Sequence, residues 1–226
     1  PSKEQIINQA LKFHSEGNIS EAAKYYQYLI KKGFNDPRVY LNLGLILKNH
    51  GKSKEAFDCY IKVIELDSSY PNIYQIITRF LRDSNLSLLN QPRLKNTFNL
   101  LLEKNDIRHK ELFRVFQFLY GNNLISNTKT LDLDFTKIEL LSNNINILNC
   151  FKKIIFKDIR LERMLSKIRR KICANLANNT EKYYRYKLEL IIALAEQCFL
   201  NEYLYPVAEQ ENKLINIIIN KCQNDN

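Results

Sequence analysis

Few residues in this chain have types and spacing that suit bond-making chemistry. Cys198 and Glu202 stand one helical turn apart, which could set a thiol beside a carboxylate. No histidine lies near in sequence to activate that thiol, and cysteine's burial habit makes Cys198 a small buried hydrophobe. His14, His50 and His109 are far apart and have no partners at metal-ligand spacing. The five cysteines (Cys59, Cys150, Cys173, Cys198 and Cys222) are odd in number and scattered, with no CxxC pair. That distribution argues for reduced thiols in a cytoplasmic setting and against a zinc site or a disulfide frame. No metal, no cofactor and no catalytic group is expected, and the chain reads as a non-enzyme.

One dense cluster remains. Nine basic residues fall between Lys152 and Lys171, against only Asp158 and Glu162 as acids. Lys153, Lys157, Arg160, Arg163, Lys167, Arg170 and Lys171 cover much of a helix whose other face carries Leu161, Leu165, Ile168 and Ile172. The stripe could bind an anion, either nucleic acid or an acidic protein. The commoner fate of such a run is a solvated helix face. The net charge of +10 is concentrated toward the later middle of the chain, although a general richness in Lys, Asn and Ile accounts for much of it.

The elements that would position any site are helices, and two copies of one helix-turn-helix unit organise them. Gly17 and Gly51 are 34 residues apart, and at that shift Ile6 falls on Tyr40 and Ala10 on Gly44. Glu21-Ala22 falls on Glu55-Ala56, Tyr26 on Tyr60, Leu29 on Val63, and Pro37 on Pro71. Each match has a physical reading. Small residues at 10, 22, 44 and 56 allow close helix approach, the tyrosines supply bulk, and the glycines end a helix in a conformation costly to other residues. The prolines suit the first turn of a following helix. A third copy starts at Pro71 and Tyr74, then decays: Thr78 replaces the small residue and Asn85 replaces the glycine. Residues 71 to 83 therefore read as a capping helix, or as the entry to a different helical region.

This period and pattern resemble the tetratricopeptide repeat. The resemblance implies an α-solenoid whose units stack and leave a concave surface for a protein or peptide partner. On the first helices the groove candidates are Asn8, Leu11, Lys12, Leu41, Asn42, Leu45, Lys48, Gln75 and Arg79. They do not match the carboxylate clamp of chaperone-tail readers. Further on, the run Ala193 to Tyr203, with Glu209 and Glu211 downstream, resembles bacterial proteins that join such repeats to an S-adenosylmethionine-dependent methyltransferase domain. Leu161, Leu165, Arg169 and Arg170 approximate an upstream pattern of the same proteins. The catalytic domain itself should be absent from this stretch. Its cofactor turn needs glycines after a strand, and past Gly51 only Gly121 remains, between helices.

The expected architecture is all-α: a solenoid of repeat-like hairpins, then further irregular helices, with no sheet. Two repeats and a capping helix should occupy 1–84, a further hairpin 85–120, a linker 121–135 and a helical region 136–226. Asp106 is a candidate N-cap and Gly121 a helix end, while Leu131, Leu133 and Phe135 could form a short extended piece. Asn201 and Glu202 should cap or pair with a neighbouring helix, with Arg169 or Arg170 as the partner of Glu202. Hydrophobic residues at 45% supply an ample core. No apolar run approaches the roughly 18 residues of a membrane span, and no leader segment is visible although the chain starts at Pro1. The function that follows is a scaffold for protein binding, in its finer form the substrate-recruiting part of a repeat-methyltransferase. The alternative is nucleic-acid binding through the Lys152–Lys171 stripe.

Overall fold

The computed structural model describes residues 2–127, 135–178, 188–201 and 207–224. Among them every regular element is helical and no strand occurs, in agreement with the all-α expectation. The chain divides into two compact units, Pro1–Ile107 and Arg108–Asn226.

The first unit comprises α1 (Lys3–Ser15), α2 (Ile19–Lys31), α3 (Pro37–Asn49), α4 (Ser53–Leu66), α5 (Ile73–Asp83) and α6 (Gln91–Glu103). From α1 to α5 each helix packs chiefly on its neighbours in sequence, the one-dimensional stacking of a solenoid. The 34-residue register is written into the backbone. Gly17 and Gly51 both take positive φ, at 79° and 74°. The Asn18 amide donates to the Phe13 carbonyl at 2.8 Å, and 34 residues later the Lys52 amide donates to Leu47 at 2.9 Å. Inside the hairpins Ala10, Ala22, Ala56, Tyr26 and Tyr60 are fully buried. At Gly44 a Cβ would lie 2.7 Å from Tyr60 Cε1, so the close approach read from the sequence is real.

The third copy departs from the pattern for local reasons. At α3 the Asp36 carboxylate accepts the Arg38 amide and Pro37 occupies the first turn. The matching position before Pro71 is Tyr70, which has no capping oxygen of that reach. There the helix begins only at Ile73, after Asn72 in the left-handed region, so Pro71 is not in its first turn. Thr78 is buried where the small residues stood and satisfies its hydroxyl on its own helix, donating to the Tyr74 carbonyl at 2.8 Å. Asn85 does not imitate the turn glycine; its side chain caps a short 3₁₀ turn, Leu86–Leu88. Nor does Asp106 cap a helix: the next turn starts at His109 with Arg108 at the cap position, and the Asp106 carboxylate instead accepts from Gln75 Nε2 at 2.7 Å.

The second unit opens with a 3₁₀ turn (His109–Leu112), then α7 (Phe113–Phe116), a π turn (Gln117–Gly121) and α8 (Asn122–Asn127). Gly121 therefore does not end the helix. Positive φ, which a glycine cap requires, occurs only at Gly17, Gly33 and Gly51 among the glycines, and at Gly121 the Asn122 amide simply continues to the Gln117 carbonyl. Helix thus occupies the first part of the stretch read as a linker. Leu131 and Leu133 lie outside the described residues, and Phe135 opens a helix rather than an extended piece.

Five more helices follow: α9 (Phe135–Ser142), α10 (Ile145–Lys153), α11 (Ile159–Ala177), α12 (Leu188–Leu200) and α13 (Glu209–Asn224). Here packing skips along the chain, α10 against α12 and α11 against α13. That non-sequential pairing separates these helices from the repeat-like stack. Their core holds Phe116 stacked on Phe156 at 4.7 Å, with Phe151 edge-on to Phe156 at 5.5 Å. No described helix is long and apolar enough to cross a membrane.

Candidate functional site

The first-helix row runs through α1, α3 and α5. Repetition places Asn8 and Asn42 at equivalent positions, as it does Leu41 and Gln75, and Leu11, Leu45 and Arg79. Asn8, Lys12 and Arg79 are exposed, and Leu11, Leu41, Asn42, Leu45, Lys48 and Gln75 half-buried. Three of the polar members are already engaged, Lys12 through an exposed pair with Glu16 at 3.8 Å. Asn42 Nδ2 donates to the Arg38 carbonyl at 2.8 Å, and Gln75 Nε2 is held by Asp106. The loop that carries Asp106 also sets Lys104 Nζ 4.2 Å over the Tyr74 ring, so the loop after α6 closes over α5. A separate cleft of about 300 Å³ opens between α2 and α3 and is lined by none of the nine groove candidates.

One ion pair was not foreseen, although the register contains it: Glu4 and Arg38 are the same repeat position with opposite charge. Arg38 Nη1 and Nη2 each donate to a Glu4 oxygen at 3.0 Å, and Nη2 also donates to Asp36 at 2.9 Å. The Arg38 guanidinium holds both the Glu4 and Asp36 carboxyls below their ordinary range. Depressed carboxylate pKa values stabilise the fold above the unfolded values near about 4 and are lost as pH falls through the folded ones. The urea midpoint of the chain should therefore drop as pH falls below about 4, and Arg38→Gln should flatten that part of the profile. An unchanged slope in the variant would show that the clamp does not link the first two repeats.

In the second unit the predicted basic stripe lies on α11 and the turn before it. Lys157, Arg160, Arg163, Lys167, Arg170 and Lys171 are exposed and Lys153 is half-buried. Arg160 is spent on the helix cap, where Asp158 accepts both its amide and its guanidinium. Arg169 and Arg170 meet a carboxylate, but it is Glu211 of α13, which is 1% exposed. Arg169 Nη2 donates to Glu211 at 3.2 Å and Arg170 Nε at 3.3 Å. Burial works to raise the Glu211 pKa, yet the two guanidiniums outweigh it and hold the group below its ordinary value. Glu202, the partner expected for these arginines, lies outside the described residues, as do Tyr203 and the end of that run. Asn201 Nδ2 donates back to the Gln197 carbonyl at 3.2 Å.

No described residues form a group of three or more His, Cys, Asp and Glu able to hold a metal. Burial pushes the Cys59 thiol up to about 11 and raises Cys150 as well, the opposite of an activated nucleophile. Cys198 is only half-buried, and Arg169 Nη1 reaches its sulfur at 3.5 Å. The buried-hydrophobe reading of Cys198 therefore gives way to one of a thiol tucked against a cation. His50 donates Nδ1 toward the Ile46 carbonyl at 2.8 Å, and His14 lies 3.4 Å from the Tyr26 hydroxyl.

These features define a class first: antiparallel helix pairs stacked on a 34-residue register, followed by irregular helices. Residues 37–70, which span α3 and α4, match the family model described as tetratricopeptide repeat. The chain is also similar to the Caenorhabditis briggsae protein named protein adenylyltransferase fic-1, with 24% identity over 147 residues. That match covers 62% of this chain and 29% of the relative, so the chain spans under a third of that protein's length. No solved structure matches.

Proposed function

We propose that this chain is a protein-interaction module acting in the cytoplasm, which holds a peptide or protein partner along the row of α1, α3 and α5 and performs no chemistry of its own. The observation that carries this reading is the repeated register of exposed and half-buried side chains at 8 and 42, 41 and 75, and 11, 45 and 79. Stacked hairpins of this type present extended surfaces rather than closed pockets. In its finer form the module recruits the substrate of a catalytic domain in a longer protein. The run Gln197–Tyr203 and its resemblance to repeat-methyltransferases support that form. A relative whose name describes a protein-modifying enzyme also fits it.

A crosslinking pull-down with the wild type and with Lys12→Ala, Arg79→Ala tests the reading. Both residues are exposed, so the variant should fold normally, and at least tenfold less partner should be captured. Identical capture would sink the groove. The exposed cations Lys157, Arg163 and Lys167 favour a second reading, nucleic-acid binding. If capture vanishes on nuclease treatment and with those three changed to glutamate, that second reading replaces the first.

A further inference from the structure

We propose that the cleft between α2 and α3 is a second docking site, for an acidic peptide segment that carries one apolar side chain. This rests on the reading of the chain as a protein-interaction module, and it places a contact away from the first-helix row. The cleft measures about 300 Å³, the small end of ligand clefts and enough for a side chain with its flanking backbone. Its floor is aliphatic, formed by Ile19 and Ala23 of α2 with Leu43, Ile46 and Leu47 of α3.

The rim is where the charge lies. Lys24, Lys52 and His50 line it, and no carboxylate does. Lys24 is partly compensated, since its Nζ lies 2.6 Å from Glu21. Lys52 has no carboxylate partner among the described residues. Ser20, in the first turn of α2, also lines the cleft. The cap residue of that helix, Asn18, makes no side-chain bond to the first turn. Glu21 in the first turn already meets the positive end of α2, so the rim's surplus charge rests on Lys24 and Lys52 together, and an anion is their complement. An aliphatic floor suits a leucine-like or phenylalanine-like side chain. No Phe, Tyr or Trp lines the cleft, and the His50 ring is held back by its bond to the Ile46 carbonyl, which favours peptide over a stacked base.

Selection from a random twelve-residue displayed peptide library against the intact chain tests this directly. Enriched peptides should combine Asp or Glu with a neighbouring Leu, Ile or Phe. Their affinity should fall at least tenfold for Ser20→Glu and for Lys52→Glu, two exposed changes that put a carboxylate at the rim, and stay within twofold for Lys12→Ala, Arg79→Ala. Binding lost with the Lys12, Arg79 variant but kept with Ser20→Glu and Lys52→Glu would overturn the cleft and leave the first-helix groove standing. Enrichment of basic peptides, or competition by a single-stranded DNA oligonucleotide at equal concentration, would overturn it as well. No enrichment at all would remove the cleft and, with an unchanged pull-down, the module reading too.

Discussion

Arg169→Ala should cost the second unit about 3–5 kcal/mol, because it strands a buried carboxylate. Glu211 is 1% exposed and draws on Arg169 and Arg170, of which Arg170 is the more exposed, at 44% against 17%. Removing the more enclosed guanidinium leaves the carboxylate with the weaker partner in a site water hardly reaches. The cost falls on α13, since Glu211 is the one residue of that helix buried among those described, while Leu214 is only half-buried and Ile217 is 43% exposed. The α11–α13 contact is thus anchored by charge more than by apolar burial. Replacing Arg169 and Glu211 together with leucine should recover most of the loss, because a well-packed apolar pair often equals a buried ion pair. Urea denaturation followed by far-UV circular dichroism gives the size, and amide exchange in α13 gives the location. A loss below about 1 kcal/mol for Arg169→Ala would mean that the cluster is solvated in solution and worth no more than a surface pair.

What the sequence reveals depends on how far each constraint reaches along the chain. The hairpins of α1 to α4 are legible because their rules are local and written twice: glycines at positive φ, small residues at helix contacts, tyrosines between. Even the Glu4–Arg38 clamp follows from the register once opposite charges are sought at equal repeat positions. Legibility fails where one oxygen decides a boundary. Tyr70 stands where Asp36 stood, so α5 starts late, and Asn85 caps a 3₁₀ turn instead of imitating a glycine. It fails again at Gly121, where glycine alone suggested an end but the backbone widened into a π turn and went on. Glu211 shows the longest reach. Its partners on α11 are more than 40 residues away, and the apolar positions of α13, Leu214, Ile217 and Ile218, stay half-buried or exposed, so apolar periodicity does not name the residue that seats the helix. The same limit hides the α2–α3 cleft, whose lining joins two helices that the repeat pattern treats as separate units.

Gly44→Ala offers the sharpest contrast between local propensity and packing. In an exposed helix the change would stabilise by about 0.5–1 kcal/mol, because glycine loses more backbone freedom on folding. Here the new methyl would stand 2.7 Å from Tyr60 Cε1 and 3.2 Å from Cys59 Cβ. Tyr60 is fully buried and lies edge-on to Phe80 with ring centroids 5.3 Å apart, so the ring has nowhere to retreat. Overpacking of this kind costs about 1–3 kcal/mol, and the net change should be destabilising. Ala10 carries a methyl at the equivalent repeat position and is fully buried, which makes the two repeats each other's control. In a double-mutant cycle with Tyr60→Leu, the alanine should lose its penalty: the pair should be no less stable than Tyr60→Leu alone, a coupling of about 1–3 kcal/mol between touching residues. If Gly44→Ala stabilises the chain on its own, α3 and α4 sit farther apart in solution than the structure places them, and the small-residue logic of the whole register falls with that result.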